Sequence, residues 1–124
     1  MKDFSVLIID DDAASAMYLT EVLSEVRIQT AACENGLQAL DYLKNNSVDL
    51  VLMDLKMPGM DGYETTQKIK ELYGDLPVIA QTAFALQGDK EKAFDAGCND
   101  YITKPIKMNV LMSTIEKYYS KSLK

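Results

Sequence analysis

The chain has 124 residues, of which 48% are apolar and 26% charged, with a net charge of −6. This is the length of one ordinary domain with a globular balance, which excludes a disordered chain. Lysine and arginine form no stripe, which argues against direct nucleic-acid binding, and the absence of histidine excludes phosphohistidine chemistry within the chain itself.

In chain order, short apolar runs alternate with longer segments of helical period. The first run, Val6-Leu7-Ile8-Ile9, ends at Asp10. It is too short for a signal peptide or a membrane span, so a cytoplasmic chain without membrane contact is expected. Ala16, Leu19, Leu23 and Val26 then recur at helix spacing, followed by a run from Ile28 to Ala32. Leu37, Leu40 and Leu43 mark a second helix before the run Val48 to Met53. Thr66, Ile69 and Leu72 mark a third, opened by a capping box of Asp61 with Glu64 and closed at Gly74. After the run Pro77 to Gln81, the segment Ala85 to Ala96 keeps only Leu86, Ala93 and Phe94 as apolar contacts and predicts a lightly anchored helix. The run Asp100 to Thr103 precedes a last helix carrying Leu111, Ile115 and Tyr118, whose lysines at 117, 121 and 124 read as a solvated end. Cys33 and Cys98 lack the spacing of a metal site or redox pair and read as reduced thiols.

Continuous apolar runs, rather than alternating ones, suggest strands covered on both faces. With the alternating order they predict an α/β fold, a (βα)5 parallel sheet with helices on either side, as one domain over residues 1–124. Loops at the carboxyl ends of such strands converge on the site. Those ends offer Asp10-Asp11-Asp12, Asp54, Thr82-Ala83 and Lys104-Pro105. Several carboxylates gathered over apolar strands repel one another and need a compensating cation. A hard divalent ion and Lys104 are the candidates. Asp54 is then a poised carboxylate nucleophile, able to form an acyl phosphate with an in-line donor. Thr82 offers a short hydroxyl, and Ala83 leaves the approach open.

The motifs Leu7 to Asp12, Met53-Asp54-Leu55-Lys56-Met57-Pro58-Gly59-Met60-Asp61-Gly62, Gln81-Thr82-Ala83 and Thr103-Lys104-Pro105 resemble the receiver domains of two-component systems over nearly the whole chain. The wording around Tyr63 to Thr66, Ala80 to Ala85 and Gly97 to Ile106 is most similar to receivers of hybrid sensor histidine kinases. The resemblance implies a flavodoxin-like, doubly wound sheet in the order 2-1-3-4-5. It implies Asp54 as phosphoacceptor, with magnesium bound by Asp11 directly, by Asp10 through water, by Asp54 and by the Lys56 carbonyl. It also implies Thr82 and Tyr101 as a switch pair, Lys104 on the phosphoryl group, and a cis bond to Pro105 that aims Lys104 at the site. The implied donor is a histidine kinase or a His-containing phosphotransfer domain, and the switched surface is α4-β5-α5. A weak homodimer is allowed. The chain reads as part of a hybrid sensor kinase, with a stand-alone regulator as the alternative, and as no enzyme beyond its own phosphorylation and dephosphorylation. Lys56 and Phe84 are expected to flank the site entrance and to hinder attacking water.

Simpler readings suit some of these residues. Asp12 and Asp61 read as helix caps, and Met53, Met57, Met60 and Met108 as packing or loop residues. A phosphatase with an aspartyl-phosphate intermediate would need a second acid two residues after Asp54, where Lys56 stands. A flavin mononucleotide carrier would need a hydroxyl- and glycine-rich loop where three aspartates stand, and these would repel a permanent phosphate. A degenerate receiver acting only as an interaction module would lack part of the motif set, which is complete here.

Overall fold

The computed structural model describes residues 3–57, 61–82 and 88–122. Five strands alternate with five helices: β1 (Ser5–Ile9), α1 (Ala13–Glu25), β2 (Gln29–Cys33), α2 (Gly36–Asn45), β3 (Leu50–Asp54), α3 (Gly62–Leu72), β4 (Val78–Thr82), α4 (Asp89–Ala96), β5 (Asp100–Thr103) and α5 (Met108–Ser122). All strand pairs are parallel and the order is β2-β1-β3-β4-β5. The expected (βα)5, 2-1-3-4-5 fold is the one the chain adopts.

The pleat sorts the apolar strand residues into two cores. Val6 and Ile8 of β1 and Leu50 and Leu52 of β3 face a cluster with Leu19, Leu23, Leu111 and Ile115 from α1 and α5. Their neighbours Leu7, Ile9, Val51 and Met53 face Ala39, Leu43, Ile69 and Ala93 from α2, α3 and α4. β1, β3 and β4 are therefore buried almost throughout, as continuous apolar runs require. The edge strands differ: β2 and β5 keep partly exposed residues, because each has a neighbour on one side only.

Several strand bounds shift toward the carboxyl end. Asp54 and Thr82 are the last residues of β3 and β4 rather than the first after them, because the ladder continues past the apolar run, pairing Asp54 with Gln81 and Thr82 with Thr103. Three helix-stripe residues are corrected. Leu37 is 68% exposed and Leu72 65%, while Ala39 and Thr65 are buried in their place and Thr66 is buried as its stripe expects. Phe94 is also exposed, which leaves Ala93 and Ala96 as the buried apolar residues of α4.

Capping chemistry sets the helix starts. Asp12, Asn35 and Asp61 each accept a backbone N–H of the first turn of α1, α2 and α3. α4 starts later than expected: Gly88, at φ 99°, stands as its N-cap without a side-chain bond, and Asp89 and Glu91 place acidic charge in the first turn. Residues 85–87, including Leu86, lie outside the described residues. α3 ends on Tyr73, whose N–H bonds the Ile69 carbonyl, so Gly74 is not the cap. Gly97, at φ 116°, closes α4 with its N–H on the Ala93 and Phe94 carbonyls. Lys117 is no freely solvated charge, since its Nζ lies 2.8 Å from Asp100 Oδ2; Lys124 lies outside the described residues.

Candidate functional site

The chain order reverses between β1 and β3, and the loops leaving them diverge to opposite faces of the sheet. Backbone bonds beyond the strand ends hold the site residues there. The Asp10 N–H bonds the Cys33 carbonyl at 3.0 Å, the Leu55 N–H the Gln81 carbonyl at 3.2 Å, and the Lys104 N–H the Thr82 carbonyl at 2.7 Å. Each loop thus starts in register with its neighbour.

Asp10 and Asp54 are bound alike. Asp10 Oδ1 accepts the Asp12 N–H at 2.9 Å, and Asp54 Oδ1 accepts the Lys56 N–H at 3.1 Å. Lys104 Nζ reaches the other oxygen of each, at 3.2 Å for Asp10 and 3.9 Å for Asp54. Asp11 is exposed and completes the group: one oxygen from each of Asp10, Asp11 and Asp54 lies within 4.8 Å of the others. Both Asp10 and Asp54 are buried, at 2% and 5% exposure. Burial pushes the Asp54 carboxyl up to about 7, against the Lys56 N–H and Lys104, and the Asp10 charge adds to the rise. Such a site is short of positive charge and takes hard oxygen coordination readily.

Gly62 brings the start of α3 against this site. A Cβ there would meet the Asp54 carbonyl oxygen and lie 2.6 Å from Leu55 Cα, and the Gly62 N–H bonds the Leu55 carbonyl at 3.2 Å. Asp61 caps α3 through the Glu64 N–H at 2.9 Å, and Asp12 caps α1 while bonding the Ser15 hydroxyl at 2.7 Å. That hydroxyl bond holds the Asp12 carboxyl below its usual range.

Thr82 is fully buried at the end of β4, beside the pairing partner of Asp54. Tyr101 on β5 is half-buried with its hydroxyl buried and unpartnered. The Lys104–Pro105 peptide is cis. Lys56 is half-exposed and its Nζ lies 4.0 Å from Asp89 Oδ1, on α4. Ala83, Phe84, Pro58, Gly59 and Met60 lie outside the described residues. Met53 and Met57 are buried packing residues, and Met108 is partly exposed. Burial raises both thiols, Cys33 and Cys98, above the usual range, as befits inert reduced cysteines.

Two arrangements were not read from the sequence: the burial of Gln81, quoted there only within a motif, and the gathering of Tyr101, read there as a switch residue, with Tyr63 and Asp89. Gln81 is 0% accessible, and its side-chain amide has no partner, neither at Oε1 nor at Nε2. The hydroxyls of Tyr63 and Tyr101 and Asp89 Oδ2 are three more buried oxygens without a partner, and the Asp89 charge acts on both tyrosines. A polar residue inside an apolar strand pattern is the signal for Gln81; no local signal marks the second cluster, because its members come from three elements.

No helix among the described residues is long and apolar enough to cross a membrane. The family model for the response regulator receiver domain matches residues 6–116. The chain is 44% identical over 110 residues to the heme response regulator HssR of Staphylococcus haemolyticus, covering 89% of this chain and 49% of HssR. It is 35% identical over 116 residues to the sensor histidine kinase RcsC of Salmonella typhimurium, covering 94% of this chain and 12% of RcsC. It spans about half of the first relative and about an eighth of the second. Among solved structures, the receiver domain of sensor histidine kinase PA1611 from Pseudomonas aeruginosa superposes with a TM-score of 0.85 at 31% identity, covering 93% of this chain and 96% of that one; it holds a magnesium ion coordinated in its active site cleft. A family match over nearly the whole chain, on a sheet of this order with these acids at its strand ends, leads to one conclusion: the chain belongs to the response regulator receiver domains of two-component systems.

Proposed function

We propose that the chain accepts a phosphoryl group on Asp54 from the phosphohistidine of a histidine kinase or His-containing phosphotransfer domain, and relays it through the α4-β5-α5 surface. The observation that carries this reading is the convergence of Asp10, Asp11 and Asp54 within 4.8 Å, with Lys104 Nζ beside two of them. A carboxylate oxygen of Asp54 attacks phosphorus in line while the P–N bond to the donor imidazole breaks. The electron pair leaves on the imidazole nitrogen, and an acyl phosphate remains on Asp54. Lys104 follows the new charge from Asp10 to the phosphoryl oxygens. The Thr82 hydroxyl reports the phosphoryl group and Tyr101 turns inward with it.

The donor set fits magnesium: clustered carboxylate oxygens, two of them poorly solvated, with the Lys56 carbonyl as a further ligand. When bound, the ion neutralises charge on the transferring phosphoryl oxygens. The magnesium in the PA1611 receiver supports this assignment. The donor comes from outside, since the chain has no histidine. α1 offers it a landing surface: residues 13–20 carry no charge, Met17 and Tyr18 are exposed, and a groove of about 470 Å³ runs from Tyr18 to Lys104 and Pro105.

We place this receiver, residues 1–124, in the cytoplasm within a hybrid sensor kinase, on the likeness to the RcsC segment; a stand-alone regulator is the second reading. Incubation with magnesium and acetyl phosphate, followed by mass spectrometry, tests the core claim. One added phosphoryl group is expected, and none on Asp54→Asn; an adduct on that variant would refute the acceptor assignment.

A further inference from the structure

Behind the acceptor lies a second polar cluster that the phosphoryl chemistry leaves unused. Asp89, the first residue of α4, is 9% exposed. Its Oδ1 lies 4.0 Å from Lys56 Nζ, and its Oδ2 is buried with no hydrogen-bond partner. The hydroxyls of Tyr63 on α3 and Tyr101 on β5 are also buried and unpartnered. Burial raises both tyrosines, Tyr63 to about 12, and the Asp89 charge adds to each, which sets all three groups in one neighbourhood. Tyr63 stands close to a bond with Asp89, which adds to its rise, whereas the Tyr101 hydroxyl has the Asp89 charge near it and no bond made. Buried polar groups are rarely left so, unless a second arrangement completes them. Lys92, 4.9 Å over the Tyr63 ring, holds that tyrosine in place. Tyr101, on the edge strand β5, is the one able to move.

Lys56 links this cluster to the acceptor. Its N–H already bonds Asp54 Oδ1, while its ammonium, 52% exposed, leans on Asp89. With its lysine half-exposed and the charges 4.0 Å apart, the pair is loose and easily exchanged. Phosphorylation would replace the single charge of the Asp54 carboxylate by a phosphoryl group carrying about −1.5 to −2, two residues before the same lysine. We propose that Lys56 and Asp89 form a charge relay: phosphorylation draws the Lys56 ammonium off Asp89, and the Asp89 carboxylate, left without its cation, accepts the Tyr101 hydroxyl. Phosphoryl charge thereby reaches α4 through a side chain, and Asp89 is a positioning residue for the switch. The relay rests on the phosphoacceptor reading of Asp54.

NMR of the Tyr101 ring and the α4 amides, with and without acetyl phosphate and magnesium, tests it, with mass spectrometry scoring the adduct in each sample. Lys56→Met without phosphodonor is expected to move both sets of signals toward their phosphorylated positions. Asp89→Ala is expected to gain the phosphoryl group while losing the phosphorylation-dependent movement of Tyr101. If Asp89→Ala is phosphorylated and Tyr101 still moves as in the unaltered protein, the relay is overturned. A resting Tyr101 signal in Lys56→Met overturns it equally, and this second variant leaves α4 intact. Absence of the adduct from the unaltered protein would instead remove the phosphoacceptor reading and the relay with it.

Discussion

Asp54 carries its charge under protest from its surroundings. Burial pushes its carboxyl from 3.8 up to about 7, and the Lys56 N–H and Lys104 only partly oppose this. Unfolded, the group releases its proton near 3.8; folded, near 7. Between those values the folded state binds more protons, so in metal-free protein stability falls as pH rises from about 4 to about 7 and then levels. Urea midpoints across that range in chelator should show the slope, and Asp54→Asn should flatten it. Magnesium favours the charged form, so its stabilisation should be larger at the alkaline end. Gln81 is the second residue whose surroundings oppose it. A buried amide with neither atom bonded costs more than the apolar side chain it displaces, so Gln81→Met should stabilise the fold by about 1 kcal/mol. A lower urea midpoint for that variant would mean the amide has a partner such as a buried water.

At the scale of elements, the site depends on how closely α3 starts against β3. Any side chain at position 62 must displace backbone, because the Asp54 carbonyl and Leu55 Cα occupy the space a Cβ would take. Gly62→Ala should therefore cost about 2 kcal/mol or more in urea denaturation and lower acetyl phosphate labelling with it. α4 stands at the other extreme. It has eight residues, three of them buried, and an N-cap without a side-chain bond. Its amides should open locally and exchange hydrogen at least about tenfold faster than those of β1 and β3, which need global unfolding. Equal protection would show α4 to be part of the rigid core and remove the simplest reason for it to be the moving helix.

Over the whole molecule, the two-sided packing makes β1 and β3 the central frame, with β5 at the sheet edge and α4 lightly packed beside it. Much of this was legible in the chain. Apolar runs bounded by polar residues marked five strands, periodic stripes marked four helices and the sparse segment 85–96 the fifth, and Asp12 and Asp61 read as caps, because each rests on interactions within a few residues. Asp10, Asp11, Asp54, Thr82 and Lys104 were legible as strand-end residues for the same reason. What periodicity could not decide was which apolar residue of a helix stays outside: Leu37 and Leu72 fit their stripes yet face water, while Ala39 and Thr65 are buried. Nor could it place Lys104 Nζ 3.2 Å from Asp10, across 94 residues of chain, or gather Tyr63, Asp89 and Tyr101 from three elements. The sequence by itself determined the elements, their order and the kinds of group at each strand end. Only the tertiary structure decided which of those groups share a lysine and which stay unpartnered, since these depend on how the crossovers stack distant segments rather than on any local preference.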